Sequence, residues 1–406
     1  MRMPRRRYQI GALLGITGLA VAIVTANAVA DPTKTDGQAQ ADAIRDAAKS
    51  TGTVVVVDDG ESVKHYGSGT TTFGKDDVPD ADDQFRVASN TKMFVSTVLL
   101  QLAEEDKLDL DAPIGDYLPG LVKGEGIDET KITVRHLLQH TSGLADNLTA
   151  DVIADPRLQW NPPTPEDMVK LGLRHGSKSE PGAKFSYSNT GYTILGILIE
   201  KLTGQRVGEA IDERIVKPLD LKETSYAYAG DKEMKGPHFR GYLGVPPALF
   251  EVSGHEPGIW AAAGALVSSG SDLTTFLDAL LNGDLLTDPS LEQMKESFPD
   301  AHYGLGLQEA ELPCGAAWGH TGHVIGYVSY SFTTGDGRSI FIGVNTSSTG
   351  LTNPAEEMSK ALTSALCGED TPPSDSVTKM ISDDLDEAAS QAEAVSDKKS
   401  KIYDKN

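Results

Sequence analysis

Cysteine is nearly absent from this 406-residue chain: Cys314 and Cys367 are the only two. No Cys-x-x-Cys pair and no His/Cys/carboxylate group at zinc-ligand spacing occurs, so neither a metal nor a cofactor is implied. Basic residues are scarce beside acids, with 36 Lys and Arg against 59 Asp and Glu for a formal charge of −23. Nucleic-acid binders neutralise phosphates with clustered Lys and Arg, and the lack of such a patch argues against a nucleic-acid partner. Long apolar runs are missing too. The only candidate, residues 10–24, is shorter than the roughly 20 residues needed to span a bilayer, so no stable membrane anchor is expected. No internal repeat is visible. The absence of Gly-x-Ser-x-Gly disfavours hydrolases of the nucleophile-elbow type.

What is present begins with an export signal. Arg2 and Arg5 to Arg7 form a basic start, residues 10–24 are apolar, and Ala28-Val-Ala30 offers a small-residue cleavage site. Residues 1–30 therefore read as a signal peptide, with a secreted mature chain starting at Asp31. Arg5-Arg-Arg-Tyr8 leaves twin-arginine export open beside the general route. Export permits a Cys314–Cys367 disulfide, and pairing is expected; two separate buried thiols are the alternative.

With 39% hydrophobic residues the chain can bury a core large enough for two lobes. An alanine-rich helix is expected over residues 39–50. Thr53-Val-Val-Val-Val57 and Ser62-Val-Lys-His-Tyr66 flank Asp59-Gly60 and predict a hairpin. A second hairpin is predicted around Gly335-Asp-Gly337. Strands at both ends with helical sequence between them imply one antiparallel sheet completed by the two termini. Beyond Gly368 the chain turns polar, and residues 369–406 read as a disordered, solvated tail, with a weak helix from Met380 to Ala394 as the lesser alternative.

Three short groups, Ser89-Asn-Thr-Lys92, Tyr187-Ser-Asn189 and His320-Thr-Gly322, follow one another in the chain. Residues three apart on a helix share a face, so Lys92 can reach the Ser89 hydroxyl. A serine becomes a good nucleophile when a base takes its proton, and burial must keep Lys92 uncharged for that step. Ser-x-x-Lys alone is weak, since it recurs at Ser376 and Ser396 within the polar tail. Ser89 differs in opening an apolar run, residues 93–102, that suits a buried helix whose N-terminal dipole favours an oxyanion. Tyr-x-Asn and Lys/His-Ser/Thr-Gly each occur once. A turn for Tyr187-Ser-Asn189, a structural histidine for His320 and a core position for Trp260 are the plain alternatives.

Ser-x-x-Lys, Tyr-x-Asn and His-Thr-Gly in this order resemble the signature of the penicillin-binding-protein and serine β-lactamase superfamily. Supporting stretches are Phe85-Arg-Val-Ala-Ser-Asn-Thr-Lys92, Leu137-Leu-Gln-His-Thr-Ser-Gly-Leu144, Phe185-Ser-Tyr-Ser-Asn-Thr-Gly191 and Trp318-Gly-His-Thr-Gly-His-Val-Ile-Gly326. The chain looks most like the secreted D-alanyl-D-alanine carboxypeptidases of actinomycetes. This resemblance implies an α/β (α+β) fold: an antiparallel sheet flanked by helices from 38–110 and 255–368, with a mostly helical lobe inserted at 111–254. It implies Ser89 as nucleophile, Lys92 as base, Tyr187 as proton relay, and His320 sharing that network or, when charged, favouring an anionic substrate. Backbone N–H groups of Ser89 and His323 would form the oxyanion hole. Asn189 would hold the acyl amide, Trp260 would form a wall, and Thr321 and Gly322 would line the substrate strand. His140 reads as structural support.

Two departures bear on substrate. Those carboxypeptidases carry an arginine where Gln308 stands, and a hydroxyl residue where His323 stands. Glutamine cannot replace an arginine fork for a terminal carboxylate, although a protonated His323 could compensate in part. The leading expectation is a D-alanyl-D-alanine carboxypeptidase or transpeptidase, acting on peptidoglycan-type peptides and acylated by penicillins. A β-lactamase, esterase, amidase or D-amino-acid peptidase on the same scaffold is the second reading. A non-catalytic binder of β-lactams or peptidoglycan is the third.

Overall fold

Valines in succession from Val54 to Val57 make a strand buried on both faces, and this strand organises the structure. The computed structural model describes residues 36–299, 301–347 and 353–403, so the signal-peptide reading of 1–30 lies outside the described residues. In chain order the principal elements are helix α1 (Asp36–Ala48), strands β1 (Gly52–Asp58) and β2 (Val63–Gly69), and helices α2 (Thr91–Glu104), α3 (Asn189–Thr203) and α4 (Gly270–Leu281). Then come strands β3 (Gln308–Leu312), β4 (Gly315–Val324), β5 (Tyr327–Thr334) and β6 (Ser339–Val344), and helices α5 (Ala355–Cys367) and α6 (Asp375–Tyr403). The strands form an open six-stranded sheet in the order β3-β4-β5-β6-β1-β2. Every pairing is antiparallel, and β1 from the N-terminal side joins β6 from the C-terminal side, with Thr53 opposite Val344.

Alternation sorts side chains between the faces. Val55, Tyr330, Phe332, Ile340 and Ile342 point outward to Ile44 of α1 and Met358 and Leu362 of α5. Val54, Val56 and Phe341 point inward to the larger cluster, which contains Phe276 of α4. Phe276 stacks on Phe94 of α2 with ring centroids 3.8 Å apart. Between α2 and α4 the chain makes a mostly helical insertion, of which α3 is the longest element. The β1–β2 loop is four residues, not a two-residue turn, because the Asp59 carboxylate accepts the N–H groups of Glu61 and Ser62 at 3.0 and 2.8 Å. Gly60 takes the positive φ of +83° that this loop needs.

Cys314 and Cys367 form the expected disulfide. It ties the β3–β4 turn to the end of α5. Closing a loop of that length restricts the unfolded chain by about 4 kcal/mol on the entropy model.

The disordered tail expected over 369–406 is corrected: Asp375–Tyr403 is a helix, α6. Val377, Ile381, Ala388, Ala392 and Val395 are buried along one stripe at three-, four- and seven-residue spacing. Such a stripe gains apolar burial that mean composition does not reveal.

Candidate active site

Ser89 lies in a single 3₁₀ turn, Ala88–Asn90, which leads directly into α2. Ala88 has φ +52°, a left-handed conformation costing about 1–3 kcal/mol in a residue other than glycine. The surroundings impose it. Asn90 Nδ2 donates to Val87 O and Ser329 Oγ, both at 3.0 Å, and Thr91 Oγ1 donates to Ala88 O at 2.6 Å. Strand β4 passes so close that a Cβ at Gly322 would collide with Val87 O and Ser329 Oγ. The predicted glycine is therefore what lets the third motif approach the first.

Lys92, with no exposed surface, places Nζ 2.9 Å from Ser89 Oγ, 2.8 Å from Asn189 Oδ1 and 2.8 Å from Ala263 O. The last two oxygens only accept, so they take two N–H bonds and leave the third direction of Nζ to the hydroxyl. An ammonium donates to Oγ along that direction, whereas a neutral amine presents its lone pair to the hydroxyl proton. Tyr187 OH donates to the same Oγ at 3.0 Å. Ser89 thus sits between an amine and a phenol, both within proton-transfer reach.

Asn189 begins α3. Its amide is oriented by Asp146, whose carboxylate accepts the Asn189 backbone N–H at 2.9 Å and Nδ2 at 3.2 Å. Asp146 takes one of the two Nδ2 hydrogens, so the role expected for Asn189 toward the substrate's amide is compatible with this geometry. The Asn189 side-chain oxygen is engaged by Lys92, and it positions that amine.

His320 is fully buried, with its ring centroid 6.5 Å from that of Tyr187. Its Nδ1 donates to Thr321 O at 2.5 Å, which leaves Nε2 to accept from Tyr303 OH at 2.9 Å. His140 Nδ1 accepts the Ser188 N–H at 3.1 Å, so its Nε2 donates to the same Tyr303 oxygen at 3.2 Å. The tautomers of both rings follow from these partners. Burial, aided by the nearby Lys92, pushes His320 down to about 3. Burial likewise holds His140 well below the usual histidine range. A charged His320 that attracts anionic substrate is thereby corrected: the ring is neutral at physiological pH. Burial also pushes His323 down to about 4, which removes the protonated imidazole expected to help bind a carboxylate.

A cavity of about 540 Å³ opens over Ser89. Tyr187, Asn189, Trp260, Thr321 and His323 line it, as does Gln308, whose Oε1 accepts the Thr321 N–H at 2.8 Å. Lys92, His320 and Gly322 stand behind this surface. Asp146 and Tyr303 were not identified from sequence, since neither belongs to a motif; Asp146 follows the His140-Thr-Ser-Gly143 stretch closely, which is the one available signal. The α6 residues in the wall had no sequence signal pointing to the site.

The whole fold has known relatives. It is similar to a D-stereospecific amidohydrolase from Streptomyces sp., with 33% identity, a TM-score of 0.73, and 82% of this chain and 99% of that chain covered. It is similar to the D-amino acid amidase from Ochrobactrum anthropi SV3, with 27% identity, a TM-score of 0.67, and coverage of 89% and 98%. Among curated relatives, the D-alanyl-D-alanine-carboxypeptidase/endopeptidase AmpH of Escherichia coli K12 is 29% identical over 183 residues, 45% of this chain and 47% of that protein. The chain spans about half the length of the curated relatives it matches. Residues 38–365, which carry all three motifs and the sheet that aligns them, match the Beta-lactamase family, and the chain belongs to that family.

Proposed function

We propose that this chain is an exported serine hydrolase that forms an acyl-enzyme on Ser89 and acts on D-amino-acid amides and short D-residue peptides. The observation that carries the chemistry is the placement of Ser89 Oγ 2.9 Å from Lys92 Nζ and 3.0 Å from Tyr187 OH. In acylation Oγ attacks the substrate carbonyl carbon while its proton passes to Lys92. The Ser89 and His323 backbone N–H groups stabilise the oxyanion. Collapse breaks the C–N bond, and the proton that Lys92 took from Ser89 is delivered to the leaving nitrogen, with Tyr187 as the relay. Water then attacks the ester with the proton transfers reversed, regenerating Ser89. Export is supported by the basic, apolar and small-residue succession in residues 1–30 and by the disulfide.

The amidase reading is supported by the names of the two similar solved proteins and by charge. The position expected to bind a terminal carboxylate holds neutral Gln308, flanked by Glu309 and Glu311, and both nearby imidazoles are neutral. The second reading, a D-alanyl-D-alanine carboxypeptidase acylated by penicillins, is favoured by the similarity to AmpH. The test measures kcat/KM for D- and L-phenylalanine amide and for an N-acylated D-Ala-D-Ala peptide. In parallel, intact mass after brief exposure to benzylpenicillin is recorded for the protein and for Ser89→Ala. Preference for the D-amide, lost in Ser89→Ala, supports the proposal. Turnover of the peptide alone, with a stable penicillin adduct on Ser89, moves the assignment to the carboxypeptidase.

A further inference from the structure

The family match ends at residue 365, and α6 lies wholly beyond it. Its two ends are anchored in different cores. Val377 and Ile381 are buried in the cluster on the outer face of the sheet, whereas Ala392 and Val395 are buried in the larger cluster with Ile153 of the helical insertion. Just before the helix, Ser374 Oγ donates to Glu311 O of β3 at 2.7 Å. From Val377 to Val395 a helix rises about 27 Å, enough to bridge from sheet to insertion. The stretch between these anchors crosses the catalytic cavity, and Lys379, Met380, Asp383, Asp384 and Gln391 line it.

The charge on this wall is mostly of one sign. Asp383 and Asp384 of α6 line the same cavity as Glu309 and Glu311 of β3. The lysine among the lining residues, Lys379, has its Nζ 2.7 Å from Asp383. His302 lies 3.8 Å from Glu309 and 3.9 Å from Glu311. Two further lining groups have hydrogen-bonding capacity to spare: Trp260 Nε1 and His323 Nε2 are buried with no partner among the described residues. Trp260 is 4% exposed. Its N–H can serve a carbonyl oxygen, and a neutral imidazole nitrogen can accept from an N–H.

We propose that α6, which lies outside the family match, is a specificity wall that encloses the catalytic cavity and, with β3, gives it an anionic face selecting small substrates with a free α-ammonium. The inference rests on the amidase reading above and names the part of the molecule that sets its substrate class. A terminal carboxylate meets like charge on this face, and an ammonium meets opposite charge. Each carboxylate about 6–8 Å from the substrate nitrogen shifts selectivity by roughly three- to tenfold after solvent screening.

The test uses the full-length protein and a pair of esters, D-phenylalanine methyl ester and its N-acetyl derivative. Esters report acyl transfer even where amides are not cleaved. The wild-type ratio of kcat/KM favours the free amine, and in Asp383→Asn/Asp384→Asn that ratio falls by about tenfold or more, through KM. Lys379→Gln, a change at an exposed position, leaves the wall more anionic and raises the ratio. An unchanged ratio in the double variant, or a fall in Lys379→Gln, overturns the proposal. If the wild type cleaves the esters but no D-amino-acid amide, the amidase reading fails by itself, and the ester ratios still decide the role of α6.

Discussion

Replacing His320 by Asn should make the protein less sensitive to acid. His320 has no exposed surface and is pushed down to about 3, chiefly by burial and then by the charge of Lys92. An imidazole in the unfolded chain titrates near 6.5. Above that pH both states are neutral and His320 contributes no pH dependence. Below it the unfolded chain takes up a proton that the folded protein refuses, so stability falls as pH falls, and the loss ends near pH 3. At pH 5.0 the loss amounts to about 2 kcal/mol. Asn at 320 retains an N–H for Thr321 O but carries no titration. The cost of the substitution itself is similar at both pH values. The other imidazoles held low by burial, His136, His140, His255 and His323, are shared by the two proteins, so their titration largely cancels in the difference. Urea unfolding at pH 7.5 and pH 5.0 should show the wild type losing about 2 kcal/mol more than His320→Asn. Equal losses in the two proteins would refute the buried neutral imidazole and the Tyr303 network built on it.

Three other outcomes follow from the site and its scaffold. Lys92→Ala should slow acylation by about 10²–10⁴, read by time-resolved intact mass with a D-amino-acid ester; a slowing below tenfold would place the base elsewhere. Gln308→Arg should raise kcat/KM for a D-Ala-D-Ala peptide relative to D-phenylalanine amide by about tenfold, because it sets a guanidinium in the cavity wall; a constant ratio would show that residue 308 does not meet the substrate's terminus. Cys314→Ser/Cys367→Ser should lose up to about 4 kcal/mol in urea unfolding, and no loss would mean the crosslink leaves the unfolded chain unrestricted.

The sheet was legible because its information is local. Runs of strand-forming residues around Asp59-Gly60 and Gly335-Asp-Gly337 specify the β1–β2 and β5–β6 hairpins, and strands at both ends suggested that β1 meets β6, whereas β3 and the pairings of β4 were not read. Ser89 and Lys92 were legible for the same reason, since three-residue spacing on a helix is a geometric statement. What stayed hidden depends on contacts between segments far apart in sequence. Asp146 orients Asn189 across 43 residues, and Tyr303 joins His140 to His320 across 163 and 17 residues. The protonation of His320 and His323 was misjudged because burial, not residue type, sets it. Nothing in His320-Thr-Gly-His323 states that the first ring is fully buried and the second half-buried in the cavity wall.

The tail shows where composition misleads. Between Pro373 and Asn406 charged and small polar residues dominate, and an average over them predicts too little apolar surface to offset ordering. The average discards phase. Val377, Ile381, Leu385, Ala388, Ala392 and Val395 recur every three or four residues, so a helix collects them on one stripe; Asp383 falls outside it, whereas Asp384, three residues after Ile381 and four before Ala388, lies within it, half-buried. Alanine suits such a stripe. It loses no side-chain entropy on burial and lets the helix approach closely. The same phase explains why acids reach the cavity: with the stripe held on the sheet at one end and on the insertion at the other, Asp383 and Asp384 fall on the span between. A single geometric fact thus orders the segment and places its charge beside Ser89. Restoring helical phase to a polar segment is accordingly a stronger test of disorder than its mean hydropathy.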